Sequence, residues 1–446
     1  MQGMQYSRHN IFSQVRGREQ WFLVNLLSGQ ADLLTRDVAD AVSAGSPPPA
    51  AFADTFIQKG YWVEPAEEQR RYEAAYARFT AAAAKEEIQL FFLLSYACNF
   101  TCDYCYQSGY DPEQALDRAA ATDAFFAYVD THFRGRRKYV TLFGGEPLLP
   151  GNMEHVANII GKLNARALGL AIVTNGYTLL DYLPLLKTAA IREVQVTLDG
   201  PPALHDARRP LGGGLPTFDR IADGIDALLA AGIAVNLRTV LDRENLGGLP
   251  ELARIAKARG WVGHPKFKTQ FGRNYELHYC QGNAGRLFDR LSMWEAVVAL
   301  AKEHPEVLEF HRPALSISRY LFENGALPDG LFDSCPATKS EWAFDYTGRI
   351  YSCTATVGKE GEELGRFWPT PTPLSAAAGE WSSRNVTTIP QCTTCALQLA
   401  CGGGCGAVAK NTSGSILSPD CRASRELMEL GFDLYQTDLE HEAIHA

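Results

Sequence analysis

The chain has 446 residues, 46% hydrophobic and 21% charged, with eleven cysteines and a formal net charge of −9. That length allows two or three domains around a large core, and the negative balance argues against a nucleic-acid surface built from bulk charge. No run is long and apolar enough to span a membrane, and the polar first twenty residues, broken by Arg8, Arg16 and Arg18, lack the core of a signal peptide. A cytoplasmic protein with no membrane or nucleic-acid partner is expected. Disulfides are uncommon in a reducing compartment, so clustered cysteines there point to metal.

Residues 1–85 read as a unit of their own. Ile11–Val15, Trp21–Leu26 and Ala31–Leu34 alternate as short strands, with Ser28-Gly29 as a turn between the last two. A helix opens at Thr35-Arg36 and runs through Val42, Gly45–Pro49 breaks the chain, and a second helix covers Ala50–Lys59. Tyr61–Val63 is a further strand, and Glu67–Lys85, rich in Ala and charge, is a connecting helix.

From 86 to 310 strand and helix patterns alternate. Apolar runs recur at Ile88–Leu94, Tyr139–Phe143, Leu170–Thr174, Glu193–Leu198, Ala234–Thr239 and Lys266–Phe271. Helical patterns separate or follow them at Arg118–Phe133, Met153–Ala165, Tyr182–Thr188, Phe218–Ala231, Leu249–Arg259 and Arg286–His304. Six such units imply a parallel sheet covered by helices, with functional groups after the C-terminal ends of the strands. Four polar signals fall there: Cys98-x3-Cys102-x2-Cys105, Gly144-Gly145-Glu146-Pro147, Thr174-Asn175-Gly176 and Asp199-Gly200. Three thiolates at that spacing suit a loop wrapped around a small iron–sulfur cubane; a zinc site is the competing reading.

The cysteine triad followed by Gly144-Gly145-Glu146-Pro147 resembles the radical S-adenosylmethionine (SAM) enzymes. The resemblance implies an α/β fold, a partial (β/α)6 barrel, with Cys98, Cys102 and Cys105 on three irons of a [4Fe–4S] cluster and SAM on the fourth. It places Gly144, Gly145, Glu146 and Pro147 at the methionyl amine and Tyr104 beside the adenine. Asn175 is placed to bond the SAM ribose or carboxylate, or serves only as a turn. Arg238, near the end of the fifth strand, is a partner for the SAM carboxylate or a structural ion pair. Asp199, with Gly200-Pro201, His205-Asp206 and Arg208 after it, looks like peptide-modifying members of the superfamily; it is a substrate or SAM contact, or a turn former. The chemistry implied is one-electron cleavage of SAM and hydrogen abstraction from a substrate by the 5′-deoxyadenosyl radical.

Residues 311–446 look irregular, rich in Gly, Pro and Thr, and short of long periodic runs, so metal clusters are expected to supply folding energy. Cys335, twelve residues, Gly348, four residues and Cys353 are followed by Cys392-x2-Cys395-x5-Cys401-x3-Cys405 and a final Cys421. The layout resembles the SPASM domain. Carried over, Cys392, Cys395, Cys401 and Cys421 hold an outer auxiliary [4Fe–4S] cluster, and Cys335, Cys353 and Cys405 an inner one, three clusters in all. Cys280 is the spare thiol that would complete the inner set; without it that set has an open iron. Zinc again competes.

Residues 1–85 resemble, without a diagnostic residue, the winged-helix-like α+β leader-peptide recognition elements fused to peptide-modifying enzymes; a capping domain without a ligand fits equally. Sulfatase-maturing relatives carry an aspartate after the cysteine matching Cys353, where this chain has Thr354. The expectation is therefore a peptide maturase that installs a thioether or carbon–carbon crosslink on a ribosomally made precursor, fed by an external electron donor such as flavodoxin or ferredoxin. Its rivals are a maturase of a folded protein (a sulfatase or an enzyme subunit) and a zinc-stabilised binding protein without catalysis.

Overall fold

In a computed structural model, which describes residues 3–107, 109–110, 117–273 and 284–445, the chain opens with β1 (Gln5–Tyr6). An antiparallel sheet follows, of β2 (Asn10–Gln14), β3 (Trp21–Asn25) and β4 (Gln30–Leu34) in that order. Alternate residues of this sheet, Phe22 and Val24 on one face and Leu23 and Leu34 on the other, enter two separate apolar cores. β5 (Trp62–Val63) returns antiparallel to β1. The segment expected as one helix from Ala50 splits into a 3-10 turn, Ala50–Phe52, and a short helix, Ala53–Gln58. The connecting helix starts at Pro65, whose missing N–H costs nothing in the first turn, and the Glu64 carboxylate caps the free amides of Ala66 and Glu67.

The six apolar runs become six parallel strands: β6 (Ile88–Leu93), β7 (Lys138–Phe143), β8 (Gly169–Thr174), β9 (Ile191–Thr197), β10 (Val235–Leu241) and β11 (Phe267–Arg273). One face is apolar and buried by helices. Leu90, Val140 and Leu170 stand side by side in register there, and the Phe92 ring stacks on Phe125 of helix Arg118–His132 at 4.3 Å. The opposite face carries Gln89, Thr141, Gln195, Asn236 and Gln270 beside Phe91, Tyr139 and Phe143, so the inside of the barrel is lined by a mixture of polar and aromatic side chains. This is the partial (β/α)6 architecture expected from the alternating pattern.

The C-terminal region adds to this sheet. β12 (Glu341–Asp345) pairs parallel with β6, Ala343 opposite Phe91, and β13 (Arg349–Tyr351) and β14 (Glu363–Arg366) continue antiparallel, giving nine strands in one sheet. The expectation of a region without long periodic elements is corrected by helix Ser424–His445, 22 residues long. Its apolar residues do not form one stripe because they serve two cores. Met428 and Phe432 pack with Phe22 and Val24 of the N-terminal sheet, while Leu427, Leu430 and Leu434 pack with Val298 and Leu315. No helix among the described residues is long and apolar enough to cross a membrane.

Candidate active site and thiol clusters

The cysteine loop leaves β6 at its C-terminal end, and the glycine loop leaves β7 beside it. They meet at a cavity of about 530 Å³ lined by Cys98, Cys102 and Cys105, by Gly144 and Gly145, and by Asn175 from the end of β8. Both glycines are required by space. Gly145 has φ +48°, and a Cβ there would lie 2.2 Å from the Ala97 carbonyl oxygen; at Gly144, φ +82°, it would strike Leu93. The Gly145 amide donates to Gln107 Oε1 (2.9 Å) and the Glu146 amide to the Ala97 oxygen (2.8 Å), stitching the two loops together.

The Glu146 carboxylate is buried and accepts from the amides of Leu148 and Asn175 and from Thr174 Oγ1, at 2.6–2.8 Å. Burial holds its pKa above the ordinary carboxylate range in spite of these donors. It stands behind the glycines rather than at the cavity wall, as does Pro147. Asn175 does reach the wall. Its Nδ2 donates to Asn99 Oδ1 (2.8 Å), tying the end of β8 to the cysteine loop.

Tyr104 lines the cavity, and its hydroxyl donates to Asp199 Oδ2 while accepting from Arg209. Asp199 is 1% exposed and does not reach the cavity. Its second oxygen accepts the Val240 amide (2.9 Å), and Arg208 lies 3.8 Å away, bridging to Asp242 at 3.0 Å. Arg209, unnoticed in the sequence, is a buried cation at the cavity wall. Burial works against its charge, but the hydrogen bond to Tyr104 and the nearby Asp199 carboxylate offset this and keep it protonated. Arg238 also lines the cavity, in space left by Gly272, where a Cβ would sit 2.9 Å from its Nη2. Of the charged side chains at the wall, Arg209, Arg238 and Arg290, none is acidic; Phe100, Phe143, Phe271 and Trp294 supply the apolar part.

Thr354, one residue past Cys353, closes the same cavity from the C-terminal region. Its amide and hydroxyl donate to Oε1 of Glu341, at 3.0 and 3.4 Å, and burial raises that carboxyl. Cys335 and Cys353 share one buried cluster, and Cys405 packs against it. Cys392, Cys395, Cys401 and Cys421 lie within electrostatic reach of one another. All ten described cysteines are free thiols; Cys280 lies outside the described residues. No three His, Cys, Asp or Glu among the described residues are grouped for a single metal ion. The fit of a wider cluster rests instead on three thiols converging at one cavity and on two further sets gathered by the fold. Burial raises the thiols of Cys102 and Cys353, so a metal must displace their protons on binding.

A model of the radical SAM superfamily matches residues 92–256, the stretch that carries both loops. The chain contains a radical SAM domain. Such a domain implies one [4Fe–4S] cluster and SAM, and Cys98, Cys102 and Cys105 are the thiols that line the cavity between its two loops. The GTP 3′,8-cyclase of Pectobacterium atrosepticum is 30% identical over 224 residues, 48% of this chain and 62% of that enzyme. The chain thus spans less than two thirds of this curated relative. The fold is shared with native anSMEcpe with bound AdoMet and Cp18Cys peptide (TM-score 0.58, 17% identity, covering 80% of this chain and all of that one). It is also shared with Streptococcus suis SuiB bound to precursor peptide SuiA (TM-score 0.52, 14% identity, 94% and 99% covered).

Proposed function

We propose that the radical SAM domain belongs to a peptide maturase of the SPASM type, which takes hydrogen from a ribosomally made peptide and installs a thioether or carbon–carbon crosslink. The observation that carries the reading is that one cavity is bounded by Cys98, Cys102 and Cys105 on one side and by Thr354, next to Cys353, on the other. A substrate held there touches the walls of both thiol regions. Residues 86–310 form the catalytic barrel in this reading. Residues 311–446 carry an inner cluster on Cys335, Cys353 and Cys405 and an outer one on Cys392, Cys395, Cys401 and Cys421. Residues 1–85 receive the leader. The solved folds with bound peptides support a peptide substrate.

When bound, the reduced barrel cluster and SAM supply the hydrogen-abstracting radical. The chain's own residues bind and orient. Gly144 and Gly145 bring main chain close to the methionyl end of SAM, and Glu146 holds their loop against β8. Arg238 offers its guanidinium to the SAM carboxylate. Tyr104, fixed by Asp199 and Arg209, presents its ring to the adenine. The aromatic wall limits water, and with it competing hydrogen donors. Thr354 presents a hydroxyl where a carboxylate would serve a sulfatase-type reaction, which favours crosslinking. An external electron donor of the flavodoxin or ferredoxin kind completes the scheme.

The reading is tested by anaerobic reconstitution of the full chain with iron and sulfide, then dithionite, SAM and candidate precursor peptides. About twelve iron atoms per chain, 5′-deoxyadenosine formation and a peptide lighter by two hydrogens are expected. Iron-replete protein that cleaves SAM but leaves every peptide mass unchanged, while altering a folded protein, favours the rival maturase. Protein that binds only zinc overturns the reading.

A further inference from the structure

Arg384 follows helix Ala376–Ser383 and is 0% exposed. Its donors all go to main-chain oxygens: Nε to Ile416 (2.6 Å), Nη1 to Gly404 (3.0 Å), and Nη2 to Gly403 (2.7 Å) and Ser418 (3.0 Å). Among the described residues no carboxylate lies within ion-pair distance of it. A buried guanidinium solvated by carbonyl dipoles alone is an expensive arrangement unless negative charge lies nearby.

The positions of those four carbonyls indicate where that charge belongs. Gly403 and Gly404 lie in the three-residue link between Cys401, assigned to the outer set, and Cys405, assigned to the inner one. All three linking glycines have positive φ, and a Cβ on Gly404 would fall 2.1 Å from the Asp420 oxygen, so the link is folded to turn its carbonyls onto the guanidinium. Ile416 and Ser418 begin the approach to Cys421. Arg384's own carbonyl accepts from Lys339 Nζ (2.8 Å), which also donates to the Cys335 oxygen (3.3 Å). The guanidinium also lies within electrostatic reach of the Cys392 thiol. One side chain is thus tied to the backbone around both thiol sets.

We propose that Arg384 is the internal counter-cation of the two auxiliary clusters: it balances the negative charge of the thiolate-bound cubanes while its fork sets the spacing of their ligand loops. The inference rests on the auxiliary-cluster reading above. Arg384 is a positioning residue; it touches neither substrate nor the cavity. A nearby positive charge stabilises the reduced, more negative form of a cluster, so removing it makes reduction harder.

The test uses the full chain with Cys98, Cys102 and Cys105 changed to Ala, so that signals from the barrel cluster are absent. Arg384, R384K and R384Q forms are reconstituted anaerobically with ferrous iron and sulfide, then assayed for iron and labile sulfide and titrated redox-wise with paramagnetic resonance detection. R384Q is expected to lose at least half of the auxiliary iron, and the clusters that remain to reduce at a more negative potential. R384K is expected to recover the potential. R384Q with unchanged iron and potential overturns the proposal, as does R384K falling together with R384Q, since charge would then play no part. A parent triple variant that takes up no iron or sulfide overturns the auxiliary-cluster reading itself, and this inference with it.

Discussion

The hydroxyl of Tyr104 donates to the carboxylate of Asp199, joining the cysteine loop to the end of β9 beneath the cavity. Asp199 also holds the Val240 amide and faces Arg208, so its charge supports the cavity wall from behind Tyr104. Asp199→Asn keeps an acceptor for Val240 but leaves Arg208 and Arg209 less compensated. We expect a loss of about 3 kcal/mol in urea unfolding, in the range for breaking one side of a buried pair. Tyr104→Phe keeps the ring but takes a hydrogen bond from two buried charged groups, and should cost about 2 kcal/mol. A larger loss in Tyr104→Phe than in Asp199→Asn would contradict this order.

Gly272→Ala tests the seat of Arg238. The added methyl meets the far end of a flexible side chain rather than backbone, so the fold should tolerate it with a change within about 1 kcal/mol. The displaced guanidinium should weaken SAM binding by roughly tenfold, or about 1.4 kcal/mol. Equilibrium dialysis with SAM, beside a thermal melt, separates the two effects. Unchanged SAM affinity would remove Arg238 from the binding site.

Gly145→Ala is expected to behave differently. Its Cβ would collide with the Ala97 carbonyl, main chain on both sides, and φ +48° is already unfavourable for a side chain. The bond from the Glu146 amide to Ala97 must break. Loss of SAM binding by more than tenfold is predicted, with lowered iron in the barrel site, measured by dialysis and iron assay.

Stability should fall on acidification below neutrality, and His9 is one cause. Burial first, and Arg8 second, lower its pKa to about 4, against roughly 6.5 in the unfolded chain. The unfolded state therefore takes up a proton that the folded state refuses. The contribution of His9 is whole above pH ~6.5 and fades as pH falls toward 4, by up to about 1.4 kcal/mol per pH unit. Urea midpoints of the chain and of His9→Gln should converge between pH 7 and pH 5. Parallel curves would show that His9 is not responsible.

What the sequence made legible was local. The cysteine and glycine loops are spaced by the geometry of single turns, and the six strands announce themselves as apolar runs. Arg209 and Gln107 were illegible because each acts through a partner far along the chain, Tyr104 and the Gly145 amide, and Glu341 because it meets Thr354 only once the β12–β13 hairpin has closed. Asp199 was legible as a polar residue at a strand end, but not as one sealed behind Tyr104. Helix Ser424–His445 escaped notice because it feeds two cores and blurs its own period. Arg384 gave no signal, since its partners are carbonyl groups, which every residue has.

The pairing of β12 with β6 bears on how an electron would travel. The triad loop leaves the C-terminal end of β6, and the segment with Cys353 follows the hairpin that β12 begins. The two thiol neighbourhoods are mounted on one sheet, on β6 and β13 with only β12 between them, rather than on bodies joined by a hinge. In the proposed scheme the distance an electron would cross is therefore set by the hydrogen-bonded sheet, so transfer between the two sites would be timed by chemistry at the substrate and not by a domain swing.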